Sequence, residues 1–277
     1  MPKATASTLK LMASPKEQKK AARQDGLAHN RGAHRPQPAK ALRPLSRALL
    51  GAFVVIAATV TMSAGASGTS NALTVTSAAA KPAQALVSTL LAGIPQTGDR
   101  LGVSHAPVTV TEYCDLVCPV CKKLTLGVEN QLIAHDVRTG RVKLVYKALK
   151  TASATANSSM FVPSQAAALA AGEQHRGWNY IELFYHEQGD ETTSYVTDDY
   201  LDGLAAQIPG LNYQRWSSDR HSPALAAQVT ADEHQAAAAG YNRTPTIVIS
   251  GPKGHAQPIV GVPSSYSHLE ATINSLQ

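Results

Sequence analysis

The chain has 277 residues, is 44% hydrophobic and carries a formal charge of +6. That charge is concentrated at one end. Residues 1–47 hold 11 of the 25 Lys and Arg but only 2 of the 19 Asp and Glu, so the remainder is net acidic and offers no basic footprint for nucleic acid.

Residues 1–47 are rich in Lys, Arg, Gln and Pro and show little apolar periodicity. Such a segment buries too little surface to offset its ordering entropy, which predicts a disordered basic tail. Residues 48–66 contain no charged side chain. Their length suits one helical bilayer crossing. With the basic excess on its N-terminal side, the positive-inside rule predicts a single-pass cell-membrane anchor, the tail cytoplasmic and the rest of the chain outside. A secretory signal is the alternative, since Ala64-Gly65-Ala66 has the form of a cleavage site. A buried core helix is the third reading. Either of the first two places the remaining chain where disulfides persist.

Residues 67–83 are small and polar and read as a linker. The folded unit is then 84–277, enough for one core. Its elements are predicted in order as a helix at 84–94, a strand at 107–115, a helix at 118–136 and a strand at 140–149. A helical insert follows at about 151–240, with helices at 164–188, 197–208 and 222–240. Strands at 245–250 and 257–261 and a helix at 264–277 close the chain, with Ser264 or Ser265 as N-cap. The first strand, helix and strand make a βαβ unit, and a crossover of that kind puts its strands parallel. Trp178, Tyr180, Phe184 and Tyr185 fall at helical spacing and read as core.

All three cysteines lie between positions 114 and 121, as Cys114, Cys118 and Cys121. Cys118-Pro119-Val120-Cys121 sits where a strand hands over to a helix. The first turn of a helix has unpaired backbone N–H groups and a partial positive charge, which favours a thiolate. Pro119 is tolerated there because its missing N–H would be an orphan anyway. The spacing brings two sulfurs within bonding reach, with Cys118 expected exposed, nucleophilic and of lowered pKa, and Cys121 more buried and resolving. Other chemistries stay open on the residues alone. One is a structural disulfide, which closes a very short loop and constrains little. Another is an iron–sulfur cluster on three thiolates, similar in spacing to the cluster loop of radical S-adenosylmethionine enzymes. Zinc lacks a fourth ligand at a recognisable spacing. Cys114 reads as a small buried hydrophobe on the same strand face as Glu112, or as a partner for another thiol.

The order of strand, Cys-Pro-x-Cys, helix, strand, helical insert and Arg243-Thr244-Pro245-Thr246 resembles the thioredoxin fold, and specifically the DsbA-like thiol:disulfide oxidoreductases. The resemblance covers roughly residues 84–277. It implies an α/β, βαβ–ββα sheet with a helical insertion and a protein disulfide oxidoreductase needing no bound cofactor. Its partners would be cysteine-containing secreted or envelope proteins and a membrane or envelope redox partner. It implies a cis Thr244–Pro245 bond facing the active-site disulfide, with the Thr244 backbone pairing to the substrate strand beside Cys118. It also implies that Glu112, six residues before Cys118, accepts or relays the proton of Cys121. On the residues alone Glu112 is equally a solvated strand-end carboxylate, and Pro245 an ordinary trans proline. Strongly oxidising members typically carry Pro-His between the cysteines. Val120 supplies neither charge nor donor, which leads us to expect a less oxidising poise. A reductase or isomerase, and a non-catalytic binding module of the same fold, are the rival functions.

Overall fold

A computed structural model of the chain describes residues 82–277 other than Asn157. The expected tail and membrane span, and most of the expected linker, lie outside the described residues. No helix among the described residues is long and apolar enough to cross a membrane.

Seven strands form one mixed sheet in the order β1-β2-β4-β3-β5-β6, with β7 also paired to β5. At its centre lies β3 (Val108–Cys114). Its β-branched and aromatic run suits a strand covered on both sides. It pairs in parallel with β4 (Val142–Ala148), Val108 opposite Val142 and Cys114 opposite Ala148. On its other edge it pairs antiparallel with β5 (Thr246–Gly251), Tyr113 opposite Thr246 and Glu112 opposite Ile247. Along β4, Val142, Leu144, Tyr146 and Ala148 are buried and the residues between them are half-buried, the period-two pattern of a strand with one strongly apolar face.

The chain between β3 and β4 is a single helical run that changes pitch. It begins as α2 (Pro119–Leu124), passes through a π-helical turn at Thr125–Glu129 and one α-turn, α3 (Asn130–Leu132), and ends in a second π-helical turn at Ile133–Val137. Pitch changes of this kind re-aim side chains, often near functional sites. Here they turn Thr125 and Glu129 inward among Leu124, Leu132 and Ile133.

Before β3 come α1 (Pro82–Leu91) and a hairpin of two-residue strands, β1 (Gln96–Thr97) and β2 (Arg100–Leu101). This hairpin was not anticipated, because two-residue strands carry no periodic signal. Between β4 and β5 the helices are α4 (Ser153–Ala156), α5 (Phe161–Gly172), α6 (Gly177–His186), α7 (Asp198–Ala205), α8 (Tyr213–Asp219) and α9 (Pro223–Ala238). The single helix expected over 164–188 is therefore two. The break falls at Glu173–Arg176, where His175 adopts a left-handed φ of 59° and its Nδ1 lies 2.8 Å from the Gln96 carbonyl. Gln96 also accepts from the Trp178 amide and donates to Asn179, so the hairpin fastens the start of α6.

Every residue of α5 from Ser164 onward is buried. Its alanines permit close packing against α6 and α9. Closest of all is Gly172, where an added Cβ would stand 2.5 Å from the Gly98 carbonyl oxygen. Trp178, Tyr180, Phe184 and Tyr185 are all fully buried in the main core, joined there by Phe161 and Trp216. After β5 come β6 (Gly254–His255), β7 (Ile259–Val260) and α10 (Tyr266–Ser275), so the strand expected at 257–261 shrinks to two residues. Ser265 is the N-cap of α10, accepting from the His268 amide.

Candidate active site

The three cysteines are free thiols, and all three are buried. Cys114 ends β3, Cys118 is the N-cap of α2 and Cys121 lies in its first turn. Cys121 hydrogen-bonds with both of the others, so the three sulfurs form a chain with Cys121 in the middle.

The loop that delivers Cys118 is clamped from outside its own segment. The Asp115 carboxylate accepts from the amides of Val117, Thr151 and Ser153 and from the Ser153 hydroxyl, at 3.1, 2.9, 2.9 and 2.6 Å. Its own carbonyl accepts from the Cys118 amide at 2.9 Å. Gln188, just past α6, donates to the carbonyls of Leu116 and Cys118 at 2.7 and 3.2 Å. Neither Asp115 nor Gln188 stood out in the sequence. Asp115 follows a strand and precedes a turn, a position suited to capping loop amides, but its partners lie 36 and 38 residues away.

Across from Cys118, the Thr244–Pro245 peptide is cis. The Thr244 carbonyl accepts from the Cys118 thiol at 3.8 Å, and the Thr244 hydroxyl bonds that of Thr151. The Pro245 carbonyl in turn accepts from the Gly261 amide. This loop covers the sulfur, so Cys118 is only 6% exposed, and the exposed tip belongs to Val120 at 42%. That overturns the expectation of an open Cys118. The expected lowered pKa is not what the site favours: the hydrogen bond with Cys121 and burial push the Cys118 thiol up, outweighing the Thr244 side chain and the Cys121 amide, which act the other way. Burial and the contact with Cys114 raise Cys121 as well.

Glu112 is 3% exposed, which excludes a solvated carboxylate. It lies two residues before Cys114 on β3, and its charge acts on Cys114, whose thiol burial pushes up to about 12. The Glu112 carboxyl hydrogen-bonds that of Glu129, and Glu182 on α6 faces the pair. Burial, then the Glu129 charge, holds the Glu112 carboxyl well above its usual range. Burial lifts Glu129 to about 7 despite its bonds to Glu112 and Thr125. Among the described residues, no group of three or more His, Cys, Asp or Glu side chains is arranged to hold a metal ion.

A family model described as thioredoxin matches residues 96–274, and the chain belongs to that family. It is 24% identical over 162 residues to the probable disulfide bond formation protein D of Bacillus cereus, spanning 56% of this chain and 71% of the relative. Oxidised BdbD from Bacillus subtilis shares the fold with a TM-score of 0.55 at 21% identity, covering 66% of this chain and 96% of that one. DsbA2 from Pseudomonas aeruginosa does so with a TM-score of 0.51 at 20% identity, covering 67% and 97%. The chain is a thiol–disulfide oxidoreductase of the thioredoxin family.

Proposed function

We propose that the protein forms disulfides in secreted or envelope proteins outside the cytoplasm, through a Cys118–Cys121 dithiol/disulfide pair. The observation that carries this reading is the contact between the two thiols at the start of α2, with Cys118 held against the carbonyl of Thr244. Residues 48–66 serve either as a membrane anchor that tethers the domain or as a secretory signal removed by cleavage.

In the oxidised enzyme a substrate thiolate attacks Sγ of Cys118. The Cys118–Cys121 bond breaks, Cys121 leaves as a thiolate and takes a proton, and the substrate is held in a mixed disulfide. A second substrate thiolate attacks the substrate-side sulfur, releasing a substrate disulfide and the Cys118 thiolate. Two substrate thiols are oxidised and one enzyme disulfide is reduced. A membrane or envelope redox partner then accepts the two electrons. Thr244 presents its backbone to the substrate strand, Pro245 shapes that loop, and Glu112 exchanges the proton of Cys121. These residues are the site we assign: Cys118, Cys121, Glu112, Thr244 and Pro245.

One observation favours a second reading, net reduction or isomerisation. A strong oxidant gains its drive from a stabilised thiolate in the reduced form. Here Val120, between the two cysteines, supplies neither charge nor hydrogen-bond donor to such a thiolate. Equilibration of the protein with glutathione buffers, followed by thiol trapping, separates the cases. An oxidising midpoint supports disulfide formation, a strongly reducing one supports the reductase, and a pair that never cycles leaves a binding module. Cys118→Ser abolishes turnover of reduced substrate; full activity in that variant rules out the assignment.

A further inference from the structure

Thr151, just past the end of β4, joins the two loops that frame Cys118. Its main chain is fixed on both sides: its amide donates to the Asp115 carboxylate at 2.9 Å, and its carbonyl accepts from the Ala154 amide at 3.1 Å. The same carboxylate holds the Val117 amide, one residue before Cys118, at 3.1 Å. The Thr151 hydroxyl bonds that of Thr244 across 93 residues of chain. Thr244 in turn offers its carbonyl to the Cys118 thiol at 3.8 Å, and the peptide that follows it is the cis bond to Pro245. The far side of this loop is secured separately. There the Pro245 carbonyl accepts from the Gly261 amide at 2.8 Å, and the Thr246 hydroxyl donates to the Arg243 carbonyl at 2.7 Å. Threonine is stiff at χ1, so a bond at its hydroxyl steadies the stretch of main chain that carries it.

The contact from Cys118 to Thr244 exists in one redox state only. A thiol donates to a carbonyl, whereas a disulfide sulfur has no proton to give. Whatever holds the Thr244 carbonyl in place therefore stabilises the dithiol form and leaves the disulfide form unaffected. We propose that Thr151 is a positioning residue for the exchange reaction: its hydroxyl holds Thr244 against the Cys118 sulfur, favours the dithiol, and makes the protein a stronger oxidant than it would be with an apolar side chain at 151. The inference rests on the assignment of Cys118 and Cys121 as the redox pair. Asp115 enters as the anchor of the Thr151 amide, and the hydroxyl is the group that acts.

Thr151→Val keeps the branched shape of the side chain and removes its hydroxyl. The full chain is equilibrated with glutathione buffers, in which two glutathione thiols open the Cys118–Cys121 disulfide and leave as one glutathione disulfide. Loss of one neutral hydrogen bond from the dithiol form alone moves that equilibrium about three- to tenfold toward the protein disulfide. Thr151→Ser, which keeps the hydroxyl, stays at the wild-type value. In a Thr244→Val background, Thr151→Val adds nothing, because the hydroxyl has already lost its partner. A residue that merely supports the fold changes the unfolding midpoint and leaves the exchange equilibrium where it was. A folded Thr151→Val with the wild-type equilibrium, or with its full shift retained on top of Thr244→Val, overturns the proposal. Three-bond couplings to the Thr244 methyl group in the unmodified, reduced protein read the same hold without substitution. We expect a single χ1 rotamer, and averaging over rotamers overturns the proposal even where a variant fails to fold. Failure of the underlying assignment looks different: the unmodified protein then does not exchange with glutathione at all, which sinks both readings.

Discussion

Asp115 and Ser153 are joined twice, the serine amide and hydroxyl both donating to the aspartate carboxylate across 38 residues of chain. The same carboxylate holds the amides of Val117 and Thr151, so the turn leading to Cys118 is tied to the chain leaving β4. Asp115→Ala leaves these buried donors without an acceptor. We expect a loss of at least about 3 kcal/mol in unfolding free energy, with Asp115→Asn intermediate. Denaturant titration of the three proteins checks the order. Equal stability of Asp115→Ala and wild type contradicts the clamp.

Cys121→Ser removes the resolving thiol and keeps the attacking one. Incubated with a disulfide-bearing peptide, the variant accumulates a mixed disulfide at Cys118 that persists until reductant is added. Mass spectrometry locates the adduct. Adducts forming chiefly on Cys114 would reverse the roles given to the three sulfurs.

The buried carboxyls make stability depend on pH in an unusual direction. Glu129 rises in the fold from an ordinary 4.5 to about 7. Between those values the folded chain holds more protons than the unfolded one, so stability is fully present below about pH 4.5 and declines as pH rises toward 7. A shift of that size corresponds to about 3 kcal/mol for this one fully buried group. Glu129→Gln therefore raises the melting temperature at pH 8 and leaves it little changed at pH 5. Parallel melting curves for variant and wild type across that interval exclude the effect.

Gly172→Ala drives a methyl group into the backbone of Gly98, at 2.5 Å from its oxygen and 2.9 Å from its carbonyl carbon. Backbone yields less readily than a side chain, and overpacking of this kind costs about 1–3 kcal/mol. The β1–β2 hairpin should lose amide-exchange protection first. A variant as stable as the parent, with unaltered protection, refutes the close approach.

The framework around the site was legible because its signals are local. Alternation in Val108–Cys114 and Val142–Ala148, and helical spacing between them, are visible without partners. The burial of Cys118 was not, because the Thr244 loop that covers it lies 126 residues away. Glu129 and Glu182 resemble ordinary polar helix residues until the π-helical turn and α6 bring them under β3. In α8 the cue was present and unused: Asn212 caps the helix by accepting from the Arg215 amide, but seven residues give too short a period to count.

Gln188 gives the helices between β4 and β5 a share in the chemistry. Its side-chain amide grips the carbonyls on either side of Val117, and its backbone carbonyl accepts from Lys122, so two turns of unrelated sequence are stitched together at one residue. A chimera that transplanted this block from a cousin without the glutamine would keep both cysteines and still release the nucleophile's backbone. Here the ornament on the scaffold is also its vice.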